Sequence, residues 1–328
     1  MQTKAMIIGE DTVKKYLNPE TVIDICEKTW RWYGEGRVIM PNKITTDMSA
    51  LGVAGWFNSM PAYIGPMDVA GVKIVGGYDG NKSIGLPYIK ANVLITDSRT
   101  GELRALVSGD YINDMRTGAQ PAIMTRLLAS STDVVTFIGT GLMAYTSLLC
   151  MSTVLQLKEV RLSDISEAAM DRFISRFPDA PWKFVKCRSN EEACIGADVI
   201  ITVTNANANL VEEPWVKKGA LVMTMGSFRE TSFDVVRKAD KIAVDQVGQS
   251  LHRGNVKELA EMGEINENSF DIIIPDVLAG KMPARTDPED RIYAQIIGTG
   301  MLDVACAALL LQKIEQSGEE LFRFDMTK

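Results

Sequence analysis

The segment Thr136-Phe137-Ile138-Gly139-Thr140-Gly141-Leu142-Met143-Ala144 constrains the fold more than any other. A β-branched, apolar run from Asp133 to Ile138 ends in Gly-x-Gly-x-x-Ala. It opens a helix-like stretch long enough for about three turns. In a strand–turn–helix unit the first glycine permits the sharp turn and the second lets a pyrophosphate approach the backbone. The small third residue lets helix and strand pack closely. The helix N-terminus then offers free N–H groups and a positive dipole end to phosphates. Gly139, Thr140, Gly141, Leu142 and Met143 are the expected phosphate-facing residues.

A second strand, Glu159 to Ser163, ends in Asp164, which stands 20 residues beyond Ala144. That is where a carboxylate accepts hydrogen bonds from an adenine-ribose diol. It repels a 2′-phosphate, and Ile165-Ser166-Glu167 supplies no arginine to hold one, so NAD(H) is expected over NADP(H). Asp164 also suits a cap for the helix that follows. Further strands are expected at Lys183–Cys187, Asp198–Thr204, Ala220–Met225 and Lys241–Asp245, with helical stretches between them. This alternation predicts a parallel sheet covered on both faces, with ligands outside the carboxyl ends of the strands. Thr204, Asn205, Gly226 and Ser227 fall there. A second Gly-Thr-Gly, Gly298 to Gly300, follows Glu289–Ile297, which reads as helical, and only 28 residues remain beyond it. It is expected to be a break before the last helix, one that can also bring the Gly300 backbone to a nicotinamide.

The first third has a different texture. Asn18-Pro19 signals a helix start, and the helix is expected to run from Glu20 to Tyr33. Extended segments follow at Val53–Tyr63, Val69–Val75 and Tyr88–Thr96. The last is joined through Asp97–Gly101 to Glu102–Ser108 as a hairpin. Strands without intervening helices predict an antiparallel sheet in an α+β domain. The final helix, Met301 to Gln312, is apolar nearly all round and needs a large surface to pack on, expected to be that first domain. The expected division is 1–115 plus 300–328 for substrate binding and dimerisation, and 116–299 for a Rossmann NAD-binding domain.

A chain of 328 residues exceeds what one core usually supports. A formal net charge of −7 without basic clusters argues against nucleic-acid or anionic-membrane partners. Five scattered cysteines without a Cys-x-x-Cys pair fit reduced, mostly buried thiols of a cytoplasmic protein. His252 is the only histidine, so no metal site is expected; a capping or surface position suits it better than catalysis. No secretory signal and no spanning segment is evident.

Lys73 lies in an otherwise apolar strand, Val69-Ala70-Gly71-Val72-Lys73-Ile74-Val75. It is either an edge lysine facing solvent or a buried ammonium that needs a partner or ligand and has a lowered pKa. Arg116 suits a helix-surface ion pair or a two-bond grip on a carboxylate. The loop Tyr78 to Lys82 reads as a turn that can also cover a substrate. Pro121 is expected to kink or restart the helix it lies in.

Lys73 in its strand, the Leu94–Glu102 hairpin, Met115-Arg116-Thr117-Gly118-Ala119, the Gly139 turn, Asp198–Thr204 and the Gly298–Asp303 segment together resemble the ornithine cyclodeaminase/μ-crystallin family, over essentially the whole chain. The resemblance implies an NAD(P)-dependent homodimer working through an imino acid. Lys73 and Arg116 would hold the substrate carboxylate, with Lys43 as a further basic group. The family includes cyclodeaminases, an archaeal alanine dehydrogenase and ketimine reductases. In the cyclodeaminases and the alanine dehydrogenase an aspartate after the turn that ends the fifth strand handles the substrate amine. In this chain that turn is Met225-Gly226-Ser227-Phe228-Arg229-Glu230, and Phe228 takes the aspartate's place. A phenyl ring cannot accept an ammonium proton, and Glu230 or Asp234 replaces it only if the loop is re-routed. The expectation is an NAD(H)-dependent oxidoreductase of a small α-imino or α-amino acid. A cyclodeaminase and a non-catalytic, μ-crystallin-like binding protein are the alternatives.

Overall fold

The computed structural model describes residues 4–325. The chain divides into two compact units, Met1–Arg116 with Thr299–Lys328, and Thr117–Gly298. In unit 1, β1 (Ala5–Ile8) and α1 (Glu10–Tyr16) lead to α2 (Pro19–Gly34). Asn18 Oδ1 accepts the Thr21 amide at 2.9 Å and Pro19 occupies the first turn, so α2 begins where its signals stand. Next come β2 (Val38–Ile39), β3 (Ile44–Asp47), β4 (Gly55–Ile64), β5 (Val69–Tyr78), β6 (Ile89–Asp97) and β7 (Leu103–Ser108). β4 to β7 pair antiparallel in chain order, as the sequence predicts. At the β6–β7 turn the Asp97 carboxylate accepts the Arg99 and Thr100 amides, and Gly101 takes φ +76°. β1 adds in parallel beside β7, a pairing no local pattern announces.

α3 (Asp110–Leu128) carries the chain across the unit boundary and runs as one helix through Pro121, without the expected restart. Ala119, Ala122, Ile123 and Met124 around it are fully buried. Their packing outweighs the roughly 3 kcal/mol that an interior proline costs.

Unit 2 alternates as expected: β8 (Val134–Ile138), α4 (Leu142–Val154), β9 (Glu159–Ser163), α5 (Glu167–Ser175), β10 (Lys183–Lys186), α6 (Asn190–Cys194), β11 (Val199–Thr202), β12 (Leu221–Met225), α7 (Phe233–Arg237) and β13 (Lys241–Val244). After α8 (Val247–Ser250) and α9 (Asn255–Glu261) follow β14 (Ile272–Ile273), α10 (Ile274–Leu278) and β15 (Ile292–Ile296). Among the described residues the strand order is β10-β9-β8-β11-β12-β15-β13-β14, and every pairing is parallel. This is a Rossmann-type α/β sheet. From β8 the chain winds outward through β9 and β10, then returns to β11 on the other side of β8. The switch point therefore lies between the carboxyl ends of β8 and β11.

β15 corrects the helical reading of Glu289–Ile297. Its five residues are all buried and pair with β12 and β13 in the middle of the sheet. A short apolar run covered on both faces has no periodicity to separate strand from helix. The chain then re-enters unit 1 as α11 (Gly300–Ser317), longer than expected, and ends in β16 (Arg323–Phe324) against β1. α11 packs on β4, β5, β6 and α2. All five cysteines are free and buried. No described helix is long and apolar enough to cross a membrane.

Candidate functional site

In unit 2 the Gly139 turn joins β8 to α4 at the switch point. Gly139 has φ +91°, and a Cβ there would stand 2.8 Å from the Val203 carbonyl oxygen and 2.9 Å from Thr204 Cγ2. The turn therefore requires glycine. Gly141, the N-cap of α4, has no atom within 4 Å of the place a side chain would occupy, and no side chain caps the helix. The first N–H groups of α4 thus have no side-chain cap, as suits a helix start that receives an anion. Leu142 is exposed and Met143 half-buried. Asp164 stands at the end of β9. Its Oδ2 accepts from the Thr140 amide and hydroxyl, both at 2.8 Å, and its Oδ1 accepts from the Ser166 amide at 2.9 Å. The cap of α5 is Ser166, whose hydroxyl accepts the Ala169 amide, so Asp164 does not serve that purpose.

The second Gly-Thr-Gly is also a strand–turn–helix, since β15 precedes it and α11 follows. Its environment differs. A Cβ on Gly300 would lie 2.7 Å from Met60 Cβ and 2.8 Å from Met60 O. Close packing of α11 on β4 accounts for this glycine without a ligand.

In unit 1, β5 alternates so that Lys73 points inward while Ile74 is exposed. Lys73 is fully buried, which removes the edge-lysine reading. Its Nζ lies 2.7 Å from Asp303 Oδ2 and donates to Asn113 Oδ1 at 3.3 Å. Arg116 is 7% exposed rather than on the helix surface; its Nε donates to Asp303 Oδ1 at 3.1 Å and its Nη2 to Asn113 Oδ1 at 2.7 Å. Two cations thus converge on one buried carboxylate. Burial lowers the Lys73 ammonium from 10.5 to about 8, helped by repulsion from Arg116 and opposed by the charge and hydrogen bond of Asp303. Burial likewise raises the neighbouring Asp114 carboxyl to about 6.

The sequence reading missed Asp303 and Asn113. The signal for Asp303 was present: a lone acid in the first turn of a helix otherwise buried almost throughout demands a buried cation. Lys43 lies on the link between β2 and β3, half-buried. The segment Asp79–Ile84 forms a short 3-10 helix after β5, and His252 is exposed.

Beyond β11 and β12, Asn205 and Ser227 are exposed and Gly226 is half-buried. Phe228 is half-exposed on the same loop. Glu230 is 1% exposed and turned to β11, where Thr202 and Thr204 donate to it. Burial raises its carboxyl to about 7. Asp234 forms surface pairs with Arg237 and Lys238. Neither acid is re-routed to the place of Phe228.

The model of the ornithine cyclodeaminase/mu-crystallin family matches residues 3–318. An alanine dehydrogenase of Archaeoglobus fulgidus is 28% identical over 314 residues, 94% of this chain and 95% of that protein. The ketimine reductase mu-crystallin of Mus musculus is 30% identical over 283 residues, 84% of this chain and 85% of its own. Among solved structures, an archaeal alanine dehydrogenase dimer with bound NAD superposes with a TM-score of 0.91 at 26% identity, covering 98% of this chain and 99% of that one.

Proposed function

Since the chain belongs to the ornithine cyclodeaminase/mu-crystallin family, we propose that it is an NAD(H)-dependent oxidoreductase of a small α-imino or α-amino acid. Unit 1 then serves substrate binding and dimerisation, and unit 2 cofactor binding. One observation carries the substrate side: Lys73 and Arg116 meet on a single carboxylate, Asp303, inside unit 1. Two cations share this carboxylate, with Asp114 as a further acid beside them, and a substrate carboxylate would join the same set of donors. Arg116 keeps a small exposed edge and Lys73 none, so the first grip on a substrate carboxylate falls to the guanidinium fork. An ammonium that titrates near 8 holds or releases a proton close to neutral pH, as an imine nitrogen requires.

The residues of unit 2 fit a dinucleotide. Open space over Gly141 and the uncapped start of α4 suit the pyrophosphate. Asp164 Oδ1, with a single bond from Ser166, retains capacity for a ribose hydroxyl. Gly139, Thr140, Leu142 and Met143 border the same turn, and Thr204, Asn205, Gly226 and Ser227 lie at the carboxyl ends of β11 and β12. Asp164 and the absence of arginine from the next three residues support NAD(H) over NADP(H). When bound, the nicotinamide supplies or accepts the hydride at the substrate carbon.

With Glu230 bound to β11 and Asp234 paired to Arg237 and Lys238, neither acid stands in for an aspartate at Phe228, which speaks against cyclodeamination. The Lys73–Arg116 pair on Asp303 speaks against a purely binding protein. A second copy of this chain is the partner expected for the outer face of the unit 1 sheet, where Ile7, Ile39, Ile74 and Leu106 are exposed. Light scattering should give a dimer, reduced to monomer by Ile74→Asp. The deciding experiment is NADH oxidation with pyrroline-2-carboxylate, or with pyruvate plus an amine. Ammonia released from ornithine with no net change in NADH would overturn the proposal in favour of cyclodeamination.

A further inference from the structure

Glu230 is a buried acid that the chemistry above does not use. It is 1% exposed, and no cation pairs with it among the described residues. Its partners are hydroxyls and one amide: Thr202 Oγ1 donates to Oε2 at 3.0 Å, and the Thr204 amide and hydroxyl both donate to Oε1 at 2.7 Å. An isolated buried carboxyl carries a desolvation cost, and it is offset here by acceptance from three donors that an apolar residue would leave unpaired.

Its placement explains the expense. Val203 makes the last sheet bond of this strand, its amide donating to Ile138 O, so the Thr204 amide lies just past the ladder. Glu230 takes over there. The backbone that carries it is itself held, because Asn255 Oδ1 accepts the Glu230 and Thr231 amides at 2.9 and 3.0 Å. Thr204 in turn abuts the phosphate turn, its methyl 2.9 Å from where a Gly139 Cβ would stand.

We propose that Glu230 is a positioning residue for the dinucleotide site, fixing Thr204 as the wall of the Gly139 turn. This rests on the NAD(H) reading of unit 2. The test is fluorescence titration of NADH into the full chain at pH 8, with melting temperatures measured in parallel. Glu230→Gln keeps an acceptor for Thr204 and should hold Kd within about threefold of wild type. Glu230→Met fills the volume without an acceptor and should raise Kd by about tenfold or more. If that variant does not fold, Glu230→Asp, which withdraws the acceptor but keeps the charge, should raise Kd likewise. An unchanged Kd in folded Met or Asp variants overturns the role, since a merely structural residue would move the melting temperature alone. If wild type binds no NADH, the cofactor reading fails and this proposal with it.

Discussion

Replacing Asp303 with Asn removes a charge from the centre of unit 1 while nearly preserving shape. Asp303 Oδ2 is 2.7 Å from Lys73 Nζ, and Oδ1 is 3.1 Å from Arg116 Nε, with Lys73 and Asp303 wholly buried. Removing one member of a buried ionic cluster leaves uncompensated charge and typically costs about 3–5 kcal/mol. Part of that cost depends on pH, and its sign follows from Lys73. Burial and Arg116 lower its pKa from 10.5 to about 8, while Asp303 holds it up. In Asp303→Asn the pKa falls further, so the variant holds this proton less tightly than wild type. At pH 7, one unit below 8, the retained proton is worth about 1.4 kcal/mol to wild type; at pH 9 it is worth almost nothing. Wild type gains stability as pH rises from about 8 towards 10.5, because the folded state there binds fewer protons than the unfolded chain. The variant begins that gain at lower pH. Its deficit against wild type should therefore be larger at pH 7 than at pH 9, by up to about 1.4 kcal/mol. Asp114, titrating near 6, and Cys26, held well above 9 by burial, leave that window to Lys73. Urea denaturation of both proteins at pH 7 and pH 9 measures the difference. A deficit equal at the two values, or larger at pH 9, would refute a charged Lys73 supported by Asp303.

Arg116→Ala should lower kcat/KM for the imino acid by about 10- to 100-fold through loss of a charge-assisted grip, and turnover left intact in it and in Lys73→Ala would dismiss the clamp. Gly139→Ala places a Cβ 2.8 Å from the Val203 carbonyl at a φ of +91°, so NADH titration should show binding weakened by at least about tenfold. Asp164→Ser removes the repulsion of a 2′-phosphate and should raise the ratio of NADPH to NADH activity, measured side by side. Glu230 titrates near 7 against an ordinary 4.5, so the folded state holds its proton more tightly and wild type loses stability as pH rises between those values. Urea denaturation at pH 5 and pH 8 should show Glu230→Gln gaining about 2–3 kcal/mol on wild type across that interval.

Local chemistry was legible in the sequence wherever neighbours in the chain decide the outcome. Asn18-Pro19 starts α2, Asp97 to Gly101 turns the β6–β7 hairpin, and an apolar strand running into Gly139-Thr140-Gly141 makes a tight turn into α4. Ile292–Ile296 escaped, because a five-residue run buried on both faces carries no period, and only β12 and β13 on either side make it a strand. Lys73 stood out in the sequence as a charge in an apolar strand, and Arg116 as a candidate carboxylate grip, whereas Asp303 did not. That they share one set of hydrogen bonds follows from α11 lying across the inner face of β5, a contact between segments more than two hundred residues apart. The two Gly-Thr-Gly turns make the division plain. By sequence and by local geometry both are glycine turns leading into a helix. Packing alone separates them: Gly300 is pressed against Met60, whereas Gly141 opens onto free space at the start of a helix that no side chain caps.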